Sequence, residues 1–393
     1  MEAYILSAVR TPIGKFLSSL SELSAPRLGA VVVAEAVTRA GVAAGQVQEV
    51  ILGNVVQAGV GQAPARQAAL LAGIPDSVPA HTVNMVCGSG LKAVMLAAQA
   101  VRCGDADLVV AGGMESMSRA PFLLPGVRHG YKHGHHQAID ALVHDGLWCS
   151  FENWAMGEAA EHIAQKCGVS RAEQDRYAAQ SHRRAAAAWD RGAFRAEIVP
   201  VSLPGGSKSP TTTLEQDEGI RPDTTTEALA RLRPSFRPDG TVTAGNASQL
   251  SDGAAALVVA SQKFVTEARV RPLARIVSSA MSGVPPRDIF IAPVPAVEAA
   301  CRLARLSVGD IDLFELNEAF AAQMLACIRG LGLDEARVNI HGGAIALGHP
   351  IGASGARVLT TLIHALRSRG LRFGVASLCL GGGNAVAMVV EAV

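Results

Sequence analysis

Two cysteines, one histidine and one asparagine stand at turns where a side chain could meet a substrate. Cys87 lies in Val83-Asn84-Met85-Val86-Cys87-Gly88-Ser89-Gly90-Leu91. A strand-like run ends at Val86 and a helical pattern starts at once, which puts the thiol at a helix N-terminus, where free N–H groups favour thiolate. Gly88 and Gly90 strip side chains from the approach, so a carbonyl could come close to backbone amides that act as an oxyanion site. A small Cys buried at a tight turn is the alternative. A nucleophilic thiol also needs a base. Of eleven histidines, His349 is set apart by Gly348-His349-Pro350-Ile351-Gly352-Ala353-Ser354-Gly355 at the head of a helix, where the alternative is a capping residue in a glycine-rich turn. Cys379 ends a strand ahead of Leu380-Gly381-Gly382-Gly383; a second thiol there could serve as acid or base. Asn317, between a strand and a helix in Asn317-Glu318-Ala319-Phe320, either orients a water and polarises a carbonyl or caps the helix.

These four residues need elements to hold them. Apolar periodicity predicts strand 2–8, helix 26–40, strand 48–53, helix 63–72, strand 80–84, helix 88–103 and strand 107–112, an α/β layered pattern. Ser24 is placed to cap the first helix and Gly41 to stop it. From 272 the alternation returns with strand 273–279, helix 293–306, strand 311–316, helix 318–330, strand 337–341, helix 351–369, and strands 373–379 and 385–391. Ser89-Gly90 and Ser354-Gly355 open similar helices, each leading into a buried strand about 265 residues from its counterpart. This reads as an internal duplication, which brings the loops of Cys87 and His349 together at the interface of the halves. Residues 118–247 differ in texture, with a Gly- and His-rich run at 126–136, two helical stretches over 156–192 and an aperiodic 203–227. They read as an inserted loop domain, so the N-terminal half is 1–117 plus 248–271 and the C-terminal half 272–393.

Composition limits the partners. With 35 basic and 34 acidic residues in 393, the net charge of +1 offers no field to hold nucleic acid or an anionic membrane. Charged residues are 18% against a usual figure of about 25%, and glycine is 40 residues, so the chain packs small residues closely. No apolar run approaches the ~18 to 20 residues of a membrane span. The first residues show no presequence, and seven scattered cysteines suit free thiols, so a cytoplasmic location is expected. His129, His133, His135 and His136 are spaced too irregularly for a metal site and read as a solvated or subunit-contact loop. Met114-Glu115-Ser116-Met117 reads as strand-end packing. The serine-hydrolase elbow Gly-x-Ser-x-Gly is absent.

The whole chain resembles a thiolase of the acetyl-CoA acetyltransferase type. The resemblance is carried by Ser7-Ala8-Val9-Arg10-Thr11-Pro12-Ile13-Gly14, Cys87-Gly88-Ser89-Gly90, Gly245-Asn246-Ala247-Ser248, Asp252-Gly253-Ala254-Ala255, Asn317-Glu318-Ala319-Phe320, Gly348-His349-Pro350-Ile351-Gly352 and Cys379-Leu380-Gly381-Gly382-Gly383. It implies a duplicated five-layered αβαβα fold and reversible Claisen condensation of two acetyl-CoA to acetoacetyl-CoA plus CoA. Cys87 would carry the acyl group, His349 take its proton, and Cys379 exchange the α-carbon proton. Asn317 through a water, with His349, would face one thioester oxygen, and the N–H groups of Cys87 and Gly381 the other. Ser248 and Ala247 would line the pantetheine channel, with Met156, Phe320 and Phe236 also on the substrate side and Arg221 and Lys208 reaching coenzyme A phosphates. No cofactor beyond the coenzyme A thioesters is implied, and the assembly implied is a homotetramer with 118–140 as a contact.

Four departures from the thiolase pattern surround the expected pocket. Ile289-Phe290 stands where many members have Met-Gly, Gln249-Leu250-Ser251 where Gly-Leu-Asn is usual, Asn384-Ala385 where Met-Gly is common, and Ala155 where a His often precedes Met156. They leave open a thiolase for longer or branched 3-ketoacyl-CoA. A non-catalytic acyl-CoA or lipid-binding relative is a further alternative, disfavoured because binding alone has no use for Cys379.

Overall fold

Strand β1 (Ala3–Arg10) and strand β6 (Ala274–Gly283) open the two halves, and both carry the same defect. In β1 one residue between Ile5 and Ser7 is extra against Val259 and Val258; in β6 one between Ile276 and Ser278 is extra against Val390 and Val389. Each bulge re-aims a serine toward an overlying helix, so that Ser7 Oγ donates to Ala36 O at 2.6 Å and Ser278 Oγ to Ala300 O at 2.7 Å. Matching bulges with matching hydrogen bonds establish the duplication independently of the sequence repeat. The computed structural model describes residues 2–203 and 211–393.

From β1 the chain runs through α1 (Ala25–Ala40), β2 (Glu49–Gly53), α2 (Pro64–Leu71), β3 (Ala80–Val83), α3 (Ser89–Cys103) and β4 (Leu108–Ser116). The intervening stretch supplies α4 (Met156–Lys166) and α5 (Arg171–Asp190) before β5 (Ser251–Ser261) returns. The second half follows β6 with α6 (Pro293–Ala304), β7 (Leu313–Leu316), α7 (Ala321–Leu331), α8 (Ser354–Arg369), β8 (Phe373–Leu380) and β9 (Asn384–Ala392). These strands form one sheet in the order β7-β8-β9-β6-β1-β5-β4-β2-β3. Within the sheet, among the described residues, the halves join through three residue pairs of β1 and β6, from Ala3 with Ile276 to Ile5 with Ala274.

Every residue of β5 is buried because both its faces are covered. Ala255, Leu257 and Val259 face α3 and α8, which lie between the halves, while Ala254, Ala256 and Val258 face α1 and α2 on the outside. On the other half α6 and α7 cover the outer face. The layers are therefore α, β, α, β, α, as the resemblance implies. At the centre α3 and α8 approach through a glycine on each: a Cβ at Gly90 would lie 2.8 Å from Ala356 N, and one at Gly355 2.3 Å from Leu91 N. Any side chain at either position would push the helices, and the loops at their N-termini, apart. The stretch before β5 is tied to β1 by Arg10, a fully buried guanidinium that donates to Glu197 at 2.5 Å and to Asp217 at 2.7 and 3.0 Å.

Some local expectations need correction. The strand expected at 337–341 is a single bridge between Val338 and Phe314, because a short 3-10 turn occupies Glu335–Arg337. Helix α7 starts at Ala321 rather than 318, since Ala247 pairs antiparallel with Phe320 and Ser248 N–H donates to Ala319 O, which holds 319–320 extended. Helix α8 starts at Ser354, not 351. Ser24 stands at the N-cap of α1, but its side chain caps nothing; its carbonyl accepts from Arg27 and Leu28 instead.

Candidate active site

A cavity of about 470 Å³ opens where the halves meet, and Cys87, His349, Cys379 and Gly381 line it together with Ser248, Ala247, Met156, Phe236 and Phe320. Its remaining wall is mostly apolar, with Leu147, Leu250, Ile289, Phe290 and Ile351. Asn317 stands just behind His349, 1% exposed and outside the lining.

The Cys87 turn is held in a strained form. Val86 has φ +47°, a left-handed conformation that a β-branched residue rarely adopts. It persists because Val86 N–H donates to Asn84 Oδ1 at 3.1 Å, while Ser89 Oγ donates to Val86 O at 2.6 Å and accepts Met85 N–H at 2.8 Å. Helix α3 begins only at Ser89, so Cys87 lies just outside it. The expectation of a favoured thiolate is overturned. Burial pushes the Cys87 thiol up to about 12, and the nearby Glu115 charge adds to the rise, so the resting group is a neutral thiol.

The base-side geometry suits such a thiol. His349 Nδ1 is 2.6 Å from Ser354 Oγ, whose hydroxyl donates to Pro350 O at 2.9 Å. With the serine proton committed to a carbonyl, Nδ1–H must be the donor and Nε2 keeps its lone pair. Asn317 Nδ2 lies 3.3 Å from Nε2, and Arg357 Nη2 reaches Asn317 Oδ1 at 3.5 Å. Burial, reinforced by the Arg357 charge, holds the imidazole down to about 3, so it rests neutral and ready to accept a proton. Cys379 is buried in an apolar wall with Ile289, Phe290 and Phe320. Burial drives its thiol well above the usual range, with the neighbouring Cys87 and Cys327 adding to the effect. A thiolate formed there would be a strong base, as removal of a proton from carbon requires.

On the substrate side Met156 begins α4, and Phe236 stands edge-on to Phe320 at 6.4 Å between ring centres. Phe290 meets Phe320 edge-on at 5.2 Å. Arg221 is not brought to the cavity; it is exposed, and its backbone N–H donates to His182 Nδ1 at 3.2 Å. Lys208 lies outside the described residues. His129, His133, His135 and His136 are exposed, with His136 stacked on Tyr131 at 3.6 Å. Among the described residues no group of three or more His, Cys, Asp or Glu side chains could hold a metal ion, and no helix is long and apolar enough to cross a membrane. Sequence reasoning missed Ser354 and Arg357, whose signal was their spacing of one helical turn beside His349. It also read Glu115 as strand-end packing, although a carboxylate in a strand otherwise made of apolar and small residues was itself a signal.

Fold and cavity together define a duplicated α/β protein that holds two thiols and a neutral imidazole between its halves. The thiolase N-terminal domain family matches residues 3–263 and the thiolase C-terminal domain family residues 270–392, and the chain belongs to the thiolase family. It is 52% identical over 389 residues to an acetyl-CoA acetyltransferase of Pseudomonas aeruginosa, covering 99% of each chain, and 53% identical over 388 residues to one of Escherichia coli, covering 98% of each. It also superposes on the crystal structure of the Bacillus anthracis acetyl-CoA acetyltransferase with a TM-score of 0.98 at 43% identity, covering 100% of this chain and 99% of that one.

Proposed function

We propose that the chain catalyses the reversible condensation of two acetyl-CoA to acetoacetyl-CoA plus CoA, through an acyl group carried on Cys87. The observation that carries this reading is the convergence of Cys87, His349, Cys379 and the Gly381 turn on one apolar cavity, and the relatives named as acetyl-CoA acetyltransferases support it. Cys87 Sγ attacks the thioester carbonyl as its proton passes to His349 Nε2, and the departing CoA sulfur takes the proton of Cys379, which leaves that side chain a thiolate. The Cys379 thiolate then removes a proton from the α-carbon of a second acetyl-CoA, and the carbanion attacks the acyl carbonyl and expels Cys87, which takes its proton back from His349. Asn317 and His349 steady one developing oxyanion and the N–H groups of Cys87 and Gly381 the other, in a low-dielectric site where such donors count most. Each step is a proton or acyl transfer, so no cofactor beyond the coenzyme A thioesters is required.

The narrow wall favours short chains. Phe290 is 2% exposed and its ring fills space beside Cys379 and Phe320, which supports acetyl over longer or branched acyl groups. The reading also includes a cytoplasmic homotetramer: the cysteines are all unpaired, and Phe122, Leu124, Val127 and Tyr131 present exposed apolar surface within 118–140. Purified protein given acetoacetyl-CoA and CoA should yield acetyl-CoA, and acetyl-CoA alone should add one acetyl mass to the parent but not to Cys87→Ala. No product and no mass shift would sink the proposal; a mass shift without product would leave only an acyl-binding relative. A kcat/KM that rises with chain length would favour the longer-chain thiolase.

A further inference from the structure

Glu115, near the end of β4, is fully buried. Its Oε1 accepts from Asn54 Nδ2 at 2.9 Å and Val56 N at 3.3 Å, and its Oε2 from Val55 N and Gly352 N, both at 3.0 Å. Among the described residues no lysine or arginine pairs with it. Burial pushes this carboxyl up to about 8, the backbone N–H groups of Val55, Val56 and Gly352 pulling the other way; with no cation beside it, four donors hold it in place. Three of them follow β2 in the half that carries Cys87. The fourth, Gly352 N–H, belongs to the turn between His349 and α8 in the other half.

Within that turn Ala353 N–H and Ser354 N–H both donate to Pro350 O at 2.9 Å, so it moves as a unit whose place is set by its ties to the rest of the chain. Upstream, His349 N–H donates to Gln249 O at 3.0 Å; downstream, Gly352 N–H is the link to Glu115. The fit at the downstream anchor is close, since a Cβ at Gly352 would lie 2.7 Å from Glu115 Oε2 and 2.6 Å from Met114 O. We propose that Glu115 is a positioning residue for the reaction: it docks the His349 turn against the half that carries Cys87, and so sets the distance over which the proton moves. The inference rests on the reading of His349 as base to Cys87.

The test uses Glu115→Gln, which places an amide group among N–H donors, Glu115→Asp, which withdraws the carboxylate by one methylene, and His349→Asn, alone and combined with Glu115→Gln. Misplacing a catalytic group by about 1 Å costs about 10²-fold in rate, so each Glu115 variant should melt cooperatively and lose about that much kcat in acetoacetyl-CoA thiolysis. KM should stay within about twofold, because besides His349 only Ile351 of the cavity wall lies on that turn, and Ser248, Ala247, Met156 and Phe236 are untouched. In the Glu115→Gln background His349→Asn should cost far less than in the parent, since an imidazole already displaced has less to lose. A merely structural role would not produce that coupling. Both Glu115 variants keeping parental kcat, or the Gln and Asn losses multiplying independently, overturns the inference; if Glu115→Gln does not fold, Glu115→Asp alone decides by its split between kcat and KM. Should His349→Asn keep parental kcat, the base reading itself fails. If His349→Asn is inactive and the Glu115 variants are not, only this inference fails.

Discussion

Around the cavity stand Cys87, His349, Cys379 and Gly381, and the corresponding positions in the opposite halves, 265 residues away, are Gly352, Asn84, Met114 and Ser116. The backbones match closely enough for Gly90 and Gly355 to make reciprocal contacts at the crossing of α3 and α8. The volumes do not match. On the cavity side there is room for a substrate; at the counterpart Gly113 is pressed so close to Gly352 that its Cβ would sit 2.0 Å from Gly352 O. The Gly352 N–H, which corresponds to the Cys87 N–H proposed as an oxyanion donor, already holds an oxygen of its own chain, the Glu115 carboxyl. Duplication thus supplies two equivalent turns, and chemistry arises at the one that packing leaves open. This is a local form of the rule that function resides in sites carried by a fold.

Making the open side resemble the closed one should have the largest effects. Cys87→Ala removes the nucleophile and should lower thiolysis by about 10⁴-fold or more, with the acetyl mass shift abolished. Cys379→Ala should still accept an acetyl group on Cys87 but lose about 10²- to 10⁴-fold in carbon–carbon bond formation, the range for a lost general base. Equal loss of acylation in both variants, read by intact mass, would break the division of labour between the two thiols.

A smaller effect comes from adding one methyl group on each side. Gly352→Ala would meet the Met114 carbonyl and the Glu115 carboxylate, neither of which can yield, and should cost about 1 to 3 kcal/mol of stability. At Gly88 the added Cβ would lie 2.3 Å from Leu380 Cδ2, the far end of a flexible side chain, and the cost should stay below about 1.5 kcal/mol. Urea unfolding of the two variants measures the difference. A larger loss at Gly88 than at Gly352 would contradict the picture of one open and one closed turn.

Much of this was legible in the sequence because it is written in local pattern. Small-residue helix starts at Ser89 and Ser354 disclosed the duplication, and the glycine turns pointed to Cys87, His349 and Cys379. What was not legible depended on contacts distant in the chain. The protonation of Cys87 was misjudged because helix proximity is local, whereas burial is set by the whole enclosure, and burial prevails. Helix starts 318 and 351 came out three residues early because pairing with 247–248, in one case, and the Gly352 anchor, in the other, lie outside any window of periodicity.

A dependence on pH separates His349 from its counterpart Asn84, which does not titrate. Burial and the Arg357 charge hold folded His349 down to about 3, while the unfolded chain should titrate near the ordinary value of about 6.5. Between those values the unfolded state binds the extra proton and the folded state does not, so stability must rise with pH across that window. The contribution is complete above about 6.5 and is lost as pH falls toward about 3, at up to about 1.4 kcal/mol per pH unit for one proton. Urea midpoints measured from pH 7 down to pH 4 should therefore fall less steeply for His349→Asn than for the parent, whatever the absolute stability of the variant. Parallel slopes would mean that His349 titrates normally in the folded protein. The neutral imidazole that sets the open side apart from the closed one would then be lost.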